Sequence, residues 1–289
     1  MQEKSRSLRE TAERRDRQRR LLIITAAALV CIVLVVAVAV AIASQPDDPG
    51  EAGTSDGGTA FIDTATSVPV AVLDAAGAPE SQGLRAMQAI PDGEPLVTDG
   101  KPTVIYVGAE FCPYCASERW ALISALSRFG TWSGLEPARS GATDGDIPTV
   151  SFTNAEFDSD QVVFRGFETA DRDGNPLSAP PEDVSQLMAT HNPGQNGQGS
   201  PIPWTYFGVM QIIGSPVPLE PFLDGSTTAT SLTHQEVADA MATGSGELGT
   251  SINAETNALT AQICELTDNQ PVDVCSAAGV AAAAAVLPG

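Results

Sequence analysis

The chain has 289 residues, 43% of them hydrophobic, with 26 glycines and 21 prolines, a composition that suits a globular domain with long loops. Its net charge of -21 is unevenly spread, because residues 1–20 hold eight of the 15 basic residues and four of the 36 acidic ones. The other 7 basic and 32 acidic residues make the rest of the chain strongly negative, which excludes binding to the phosphate backbone of a nucleic acid.

A charge-free apolar run at 21–43 follows the basic segment 1–20. About 20 helical residues cross the hydrocarbon core of a bilayer, so the run predicts a transmembrane helix. Arginines precede it closely and no Lys or Arg follows until Arg85. The positive-inside rule therefore places 1–20 in the cytoplasm and the rest of the chain outside. We expect a single-pass protein anchored in the cell membrane.

A cleaved signal peptide is the alternative, because Ala41-Ile42-Ala43 resembles a cleavage site. The apolar core of a signal peptide is usually about 7–15 residues long, which is shorter than this run. Under both interpretations, the part of the chain after residue 43 is exported. Residues 44–66 are rich in Gly, Asp, Ser and Thr and predict a flexible linker. Residues 67–289 are then one extracytoplasmic domain, in which the pattern of 67–100 predicts no particular element.

Strands and helices alternate after Lys101, which predicts an α/β layer fold. Strands are predicted at 102–111, 149–157, 161–168, 202–208 and 209–213. Helices are predicted at 113–129, 182–190, 234–241 and 252–266, with a further one in the alanine-rich tail after Ser276. The helix 113–129 carries apolar residues over a wide face, which predicts a central position in the fold.

Cys112-Pro113-Tyr114-Cys115 stands at the junction between the first strand and this helix. Unpaired amides and the macrodipole at a helix N-terminus stabilise the thiolate that attacks in disulfide exchange, which is the role predicted for Cys112. Cys115, one turn inside, can attack the mixed disulfide and release the substrate. Pro113 suits the first turn because its missing N–H costs nothing there. Glu110 is a candidate proton shuttle.

Four of the five cysteines lie in the exported part, because Cys31 falls in the predicted span as an apolar filler. An even number in an oxidising compartment implies disulfides, with three connectivities. The spacing favours Cys112–Cys115 and Cys264–Cys275, the second across a turn-like segment. We expect the second bond to be structural and to stabilise the fold by about 2–4 kcal/mol. A relay pair and zinc bound by all four thiolates are the open alternatives.

The order strand, CxxC, helix resembles the thioredoxin superfamily, and Cys-Pro-Tyr-Cys is the variant familiar from glutaredoxins. The block GAEFCPYCASERWALISALSRFG (108–130), with its CPYCxxERW motif, closely resembles a family of membrane-anchored thioredoxin-like proteins labelled as a domain of unknown function. Further similar segments are DIPTVSFTNAEF (146–157), IPW (202–204) and ICELTDNQPVDVC (263–275). The resemblance covers about residues 67–275.

This resemblance implies a thioredoxin-like fold, in which a central mixed sheet is flanked by helices. It also implies a cis-proline that faces the CxxC motif and docks the substrate backbone. Pro148 and Pro203 are the candidates, and Pro203 is preferred because a helix precedes it and a strand pair with another helix follows. Thioredoxins often carry a buried acid six residues before the first cysteine, where this chain has Tyr106.

The sequence therefore predicts a membrane-anchored thiol–disulfide oxidoreductase that acts on exported proteins with cysteines. We expect oxidation of substrate thiols, a membrane redox partner that regenerates the disulfide, and no cofactor, metal or nucleic acid. One alternative is a non-catalytic binding protein in which Cys112–Cys115 is a static disulfide and Cys112 is buried and unreactive. The other is a metallochaperone that uses the cysteines with His191 or His234.

Overall fold

The computed structural model describes residues 58–194, 199–223 and 229–288. The predicted cytoplasmic segment 1–20, the predicted span 21–43 and residues 44–57 of the predicted linker lie outside these ranges. Within the described part of the chain, no helix combines the length and apolar character that a membrane crossing requires.

The described residues form an α/β fold whose elements we number in chain order. The strands are β1 (Met87–Ala89), β2 (Val97–Thr98), β3 (Lys101–Gly108), β4 (Thr131–Ser133), β5 (Glu136–Arg139), β6 (Pro148–Ser151), β7 (Glu156–Asp158), β8 (Val163–Glu168), β9 (Trp204–Tyr206) and β10 (Met210–Ile213). The helices are α1 (Ala60–Thr66), α2 (Val70–Ala76), α3 (Pro113–Leu126), α4 (Glu182–His191), α5 (Glu220–Leu223), α6 (His234–Thr243), α7 (Gly246–Leu266), α8 (Val272–Cys275) and α9 (Ala278–Ala284).

The main sheet is mixed and is built around β3. Strand β8 pairs parallel with β3 on one side, and β9 pairs antiparallel with it on the other. Strands β10 and β1 continue the sheet beyond β9, and the short β2 pairs with the start of β3. The α/β class and the mixed central sheet flanked by helices, both expected from the sequence, are confirmed.

Both faces of β3 are buried, which explains its nearly continuous apolar sequence. Val104 and Tyr106 point into the larger core, beneath α3 and α7. Ile105 and Val107 point to the opposite face, into a smaller core that includes residues of α4 and β9. Because side chains alternate along a strand, β3 contributes to the cores on the two sides of the sheet.

Helix α3 lies in the middle of the larger core, as its wide apolar face predicts. Every residue from Cys115 to Leu126 is buried, including charged ones. Trp120 donates its indole N–H to the carbonyl of Pro148 at 2.8 Å, and Thr149 donates its hydroxyl to the carbonyl of Ala116 at 2.9 Å. These two bonds hold β6 against α3.

Helix α7 is the longest helix of the described residues and covers the larger core beside α3 and α6. Helix α6 begins at a capping box in which Thr233 and Glu236 satisfy each other's backbone N–H groups. Gly249 of α7 lies where α6 ends, and a Cβ there would stand 2.0 Å from the carbonyl oxygen of Ala240. A glycine is therefore required where the two helices approach each other.

The strand predicted at 149–157 is two strands. Residues Pro148–Ser151 pair with β5, whereas Glu156–Asp158 pair with β4 in a separate sheet. The hydroxyl of Ser151 accepts the backbone N–H of Thr153 at 3.1 Å and so closes a local turn that interrupts the strand.

Residues 60–66, the end of the predicted linker, form helix α1 instead (Ala60–Thr66). Phe61 is 1% exposed and packs edge-on against Trp120 at 5.7 Å between ring centroids. Although this segment is mostly polar, it contains two apolar residues at helical spacing, Phe61 and Ala65, and both are buried. The unassigned region 67–100 supplies α2 and the edge strands β1 and β2.

Candidate active site

Cys112 is the N-cap residue of α3, at the end of the loop that leaves β3. Its backbone is extended, Pro113 occupies the first turn, and its sulfur accepts the backbone N–H of Cys115 at 3.3 Å. The sulfur therefore takes one of the orphan amide donors of the helix N-terminus. Negative charge on the sulfur is favoured at this end of the helix dipole.

The two thiols of the motif have opposite acidities. The hydrogen bond with the Cys115 thiol lowers the pKa of Cys112 below its ordinary value, and backbone N–H groups and the charge of Arg119 act in the same direction against burial. Burial raises the pKa of Cys115 well above its ordinary value, and its interaction with Cys112 adds to the rise. Cys112 is 6% exposed and Cys115 is fully buried.

Cys112 and Cys115 are both free thiols in this structure, so the disulfide predicted between them is not formed here. The lowered pKa of one thiol and the raised pKa of the other describe the reduced pair. In that state Cys112 is the sulfur that ionises first and Cys115 is the one that keeps its proton.

A buried ion pair lies one helical turn beyond Cys115. Arg119 donates Nε to Oε1 of Glu168 at 2.8 Å and Nη2 to Oε2 at 2.7 Å, and neither side chain is more than 1% exposed. Nη2 also donates to the carbonyl of Ala109 at 2.8 Å. Burial lowers the pKa of Arg119, but the Glu168 carboxylate, together with Tyr106 and Cys115, outweighs burial and raises it. A permanent positive charge therefore lies beneath the cysteines.

A second buried carboxyl group, Glu118, neighbours this pair. Thr205 of β9 donates its hydroxyl to Oε1 of Glu118, while Oε2 has no partner among the described residues. Burial raises the pKa of Glu118 to about 8, with a further contribution from Cys112 and an opposing one from the Thr205 hydrogen bond. The side chain therefore holds a proton near neutral pH.

The segment before β9 approaches the motif from the opposite side. The Cys112 thiol lies 3.9 Å from the carbonyl oxygen of Ile202, to which it can donate. Of the two candidate prolines, Pro203 follows a cis peptide bond and Pro148 does not. The structure thus places the Ile202-Pro203 segment beside Cys112, whereas Pro148 lies at the start of β6.

The other predicted site residues are placed differently. Glu110 accepts hydrogen bonds from the hydroxyls of Ser151 and Thr153, which tie its carboxylate to the loop after β6. Tyr114 is 50% exposed at the surface of the motif. Tyr106 is fully buried, and burial raises the pKa of its phenol well above the ordinary value. Its hydroxyl has no partner among the described residues.

The second cysteine pair is a disulfide. Cys264, near the end of α7, is bonded to Cys275, the last residue of α8, with 5.6 Å between their Cα atoms. Asn269 has a left-handed φ of 58° and donates its backbone N–H to the carbonyl of Cys264 at 2.7 Å, which closes the turn between the two helices. The bond joins helices that pack on the larger core.

No group of three or more His, Cys, Asp and Glu side chains in the described ranges is arranged to hold a metal ion. The imidazole Nε2 of His234 is 2.7 Å from the carbonyl oxygen of Ala138. The imidazole of His191 lies 5.3 Å from the ring of Tyr206, centroid to centroid. Both histidines therefore contact residues of the fold outside the cysteine motif.

The sequence did not predict four residues of the site, namely Glu118, Arg119, Glu168 and Thr205. Glu118 and Arg119 could have been identified from the sequence, since they are charged residues inside a helix predicted to be central. A charge at such a position must be paired or neutralised. The partners Glu168 and Thr205 carry no local signal, because only the pairing of β8 and β9 with β3 brings them beneath α3.

Comparison with known proteins finds one family. The model of the family described as "Domain of unknown function (DUF929)" matches residues 90–265, which is more than half of the chain and includes the Cys112–Cys115 motif. No curated protein and no solved structure matches the chain.

Proposed function

The chain belongs to the DUF929 family, and we propose that it is a membrane-anchored, thioredoxin-like thiol–disulfide oxidoreductase that oxidises cysteines of exported proteins. The observation that carries the proposal is the unequal acidity of two thiols at one helix N-terminus. Such a pair provides one sulfur that leaves or attacks as a thiolate and one that resolves the mixed disulfide.

The sheet supports the thioredoxin-like part of the proposal. Strands run in the order β8-β3-β9-β10, with β8 parallel to β3 and the other two antiparallel in succession. The cysteine motif follows β3 directly, and α3 then covers the sheet. This is the arrangement expected of that fold, with Ile202-Pro203 entering β9 beside the reactive cysteine.

The proposed cycle begins with the Cys112–Cys115 disulfide. A substrate thiolate attacks Cys112 Sγ, the bond between the two enzyme sulfurs breaks, and Cys115 leaves and takes up a proton. A second substrate thiolate then attacks the substrate sulfur of the mixed disulfide and expels Cys112 as a thiolate. The substrate gains one disulfide, the enzyme pair gains two electrons, and a membrane redox partner reoxidises it.

The surroundings of Cys112 support the proposed oxidative direction. The low pKa of its thiol stabilises the reduced enzyme, because the leaving thiolate is held by N–H donors and by the charge of Arg119. Stabilising the reduced form of a pair makes it a stronger oxidant. The neutral Glu118 carboxyl, at i+3 from Cys115 on α3, is the proposed proton donor to Cys115.

Substrate docking is assigned to the Ile202-Pro203 segment. Its carbonyl oxygen at Ile202 lies 3.9 Å from Cys112 Sγ, so an extended substrate bonded to that sulfur would run alongside this backbone. Hydrogen bonds to an extended peptide supply affinity without demanding a particular sequence. Tyr114 would contact the same substrate, because it is the half-exposed side chain between the two cysteines.

A second function, a thioredoxin-fold binding protein with a static disulfide, is favoured by one observation. Cys112 is only 6% exposed, and an inaccessible sulfur cannot meet a substrate. The two functions differ in the reduction potential of the motif. A reactive pair has a reduction potential within the range of glutathione buffers. A structural disulfide has a reduction potential below about -300 mV and stays oxidised in those buffers.

The test is a redox titration of the full chain in detergent, with Cys112 and Cys115 followed by mass after thiol trapping. Reversible two-electron behaviour above about -200 mV is the expected result for an oxidase of protein thiols. The Cys264→Ser/Cys275→Ser variant isolates the motif from the other disulfide. A motif that stays oxidised below about -300 mV would replace the proposal with the binding protein.

A further inference from the structure

A cleft of about 710 Å³ opens directly beside the cysteine motif. Tyr114 forms part of its wall, and α7 forms another part. The Ser117 hydroxyl of α3 donates to the Ser215 hydroxyl at 2.9 Å, which fixes the wall at 215–219 relative to the motif. A polypeptide bonded to Cys112 and passing over Tyr114 would therefore meet this cleft.

The charged residues that line the cleft are all acidic. Four carboxyl groups line the cleft, and none of the residues that line it is Lys, Arg or His. The four are Glu80, Glu220, Glu247 and Glu255. The first three are exposed at the rim, and Glu255 is buried. Such a surface favours a positively charged group and repels a negative one.

Glu255 lies at the floor of the cleft. The residues of α7 that line it recur at 246–247, 250–251 and 254–255, which is the spacing of a single helix face. Glu255 is 1% exposed, and neither of its carboxyl oxygens has a hydrogen-bond partner among the described residues. Burial raises its pKa well above the ordinary value, and the charge of Glu118 adds to the rise.

A buried carboxyl group without a partner is destabilising. A cation that enters the cleft would supply the opposite charge and the hydrogen-bond donors that this carboxyl group lacks. We propose that the cleft receives a Lys or Arg side chain of the substrate polypeptide, close in sequence to the cysteine that exchanges with Cys112. This inference rests on the proposed function and names its substrate class, namely exported proteins with a basic residue near the reactive cysteine.

The experiment compares two peptides that differ only in charge. Each peptide contains one cysteine. The third residue before and the third residue after that cysteine are Lys in one peptide and Gln in the other. The rate constant for attack on the oxidised full-length protein in detergent is measured for both at low and high salt. Peptides with Ser in place of Cys measure binding by fluorescence anisotropy independently of exchange.

The cleft is tested with Glu255→Gln and Glu247→Gln, and the matched control is Glu156→Gln, an exposed change outside the cleft. We expect the wild type to prefer the Lys peptide by about tenfold or more, as expected for one charge-assisted hydrogen bond. The preference should fall in both cleft variants and at high salt, and persist in the control. Glu247→Gln keeps the test decisive if Glu255→Gln perturbs folding, because Glu247 is exposed.

Equal exchange rates and equal binding for the two peptides would overturn the inference and leave the proposed function intact. A Lys preference that survives in both cleft variants would also overturn it, because the charge would then be read elsewhere. Absence of exchange with either peptide, together with Lys-selective binding of the Ser peptide, would overturn the proposed function and support the cleft as a cation site.

Discussion

Cys112 and Cys115 begin a helix that leaves the central sheet, whereas Cys264 and Cys275 join the end of α7 to the short α8. Both pairs lie against the protein interior, and their separations along the chain, 3 and 11 residues, each allow a bridge. The first pair is present as two thiols of opposite acidity, and the second as a bond.

The difference between the pairs lies in what surrounds them. Helix amides, the Ile202 carbonyl and the charge of Arg119 surround the first pair, and the complete burial of Cys115 distinguishes its two sulfurs. The second pair closes a turn between two helices and packs with apolar residues of the larger core. Cysteine reactivity is therefore assigned here by neighbouring donors and charges rather than by spacing alone.

Exchange chemistry should depend entirely on the first pair. We expect Cys112→Ser to reduce oxidation of a dithiol peptide to the uncatalysed rate, because it removes the sulfur that accepts the substrate. With a peptide disulfide as its partner, Cys115→Ser should instead accumulate mixed disulfides, because the Cys112 thiolate attacks the peptide disulfide and the resolving thiol is gone. The measurement is peptide oxidation followed by mass spectrometry. Wild-type rates in Cys112→Ser would show that another thiol carries the chemistry.

Removal of the Arg119 charge beneath the motif should have the next largest effect. Arg119→Met leaves the buried Glu168 unpaired, and loss of one partner of a buried ion pair costs about 3–5 kcal/mol. It should also raise the pKa of Cys112, because the Arg119 charge lowers it in the wild type. Urea unfolding measures the first effect, and the pH dependence of Cys112 alkylation measures the second.

The double variant Arg119→Met/Glu168→Met separates the two effects. It removes both charges, so stability should return towards the wild-type value. The pKa of Cys112 should remain raised, because the positive charge is still missing. If alkylation of Cys112 in both variants follows the wild-type pH profile, then Arg119 holds the fold together and does not activate the thiol.

The second pair should affect stability and leave exchange unchanged. A crosslink over an 11-residue separation contributes about 3 kcal/mol by loop-closure entropy, which Cys264→Ser/Cys275→Ser should remove. Unfolding in urea and peptide oxidation are measured on the same preparation. Loss of exchange with an unchanged free energy of unfolding would make this disulfide an electron relay.

Local features of the sequence predict the centre of the site. The apolar run before Cys112, Pro113 in the first turn and the wide apolar face of α3 predict a buried strand followed by a buried helix, and both are present. The two carboxyl groups Glu118 and Glu255 belong to helices far apart in the chain. Their proximity arises from the packing of α3 against α7, which no local pattern encodes.

The edges of the fold were harder to predict for a related reason. Helix α1 sits in a stretch rich in Gly, Asp and Thr, and only its burial against α3 and α6 stabilises it. The break between β6 and β7 depends on a hydrogen bond from the backbone N–H of Thr153 to the hydroxyl of Ser151, inside the segment predicted as one strand. Tertiary contacts decide the first case and a local hydrogen bond between side chain and backbone decides the second, and both override composition and hydrophobic alternation.

The last expected effect is a pH dependence of stability, and it concerns the buried acid beside the first pair. Burial raises the pKa of Glu118 from its ordinary 4.5 to about 8, so the folded chain keeps a proton that the unfolded chain releases above about pH 4.5. The stabilisation is complete below that pH and is lost as the pH rises towards 8. Stability should therefore fall by about 1.4 kcal/mol per pH unit in this window on account of Glu118.

Glu118→Gln should remove this part of the slope, because the amide does not titrate and its oxygen can still accept the Thr205 hydroxyl. Urea unfolding at several pH values between 5.5 and 7.5 measures the slope, and Glu156→Gln, an exposed change, should leave it as in the wild type. The slope that remains in Glu118→Gln includes Glu255 and Glu168, because burial raises the pKa of both carboxyl groups as well. If Glu118→Gln and wild type lose stability equally with pH, then Glu118 is ionised in the folded chain. It could not then be the proton donor to Cys115, and the first pair would differ from the second through its helix amides, the Ile202 carbonyl and Arg119.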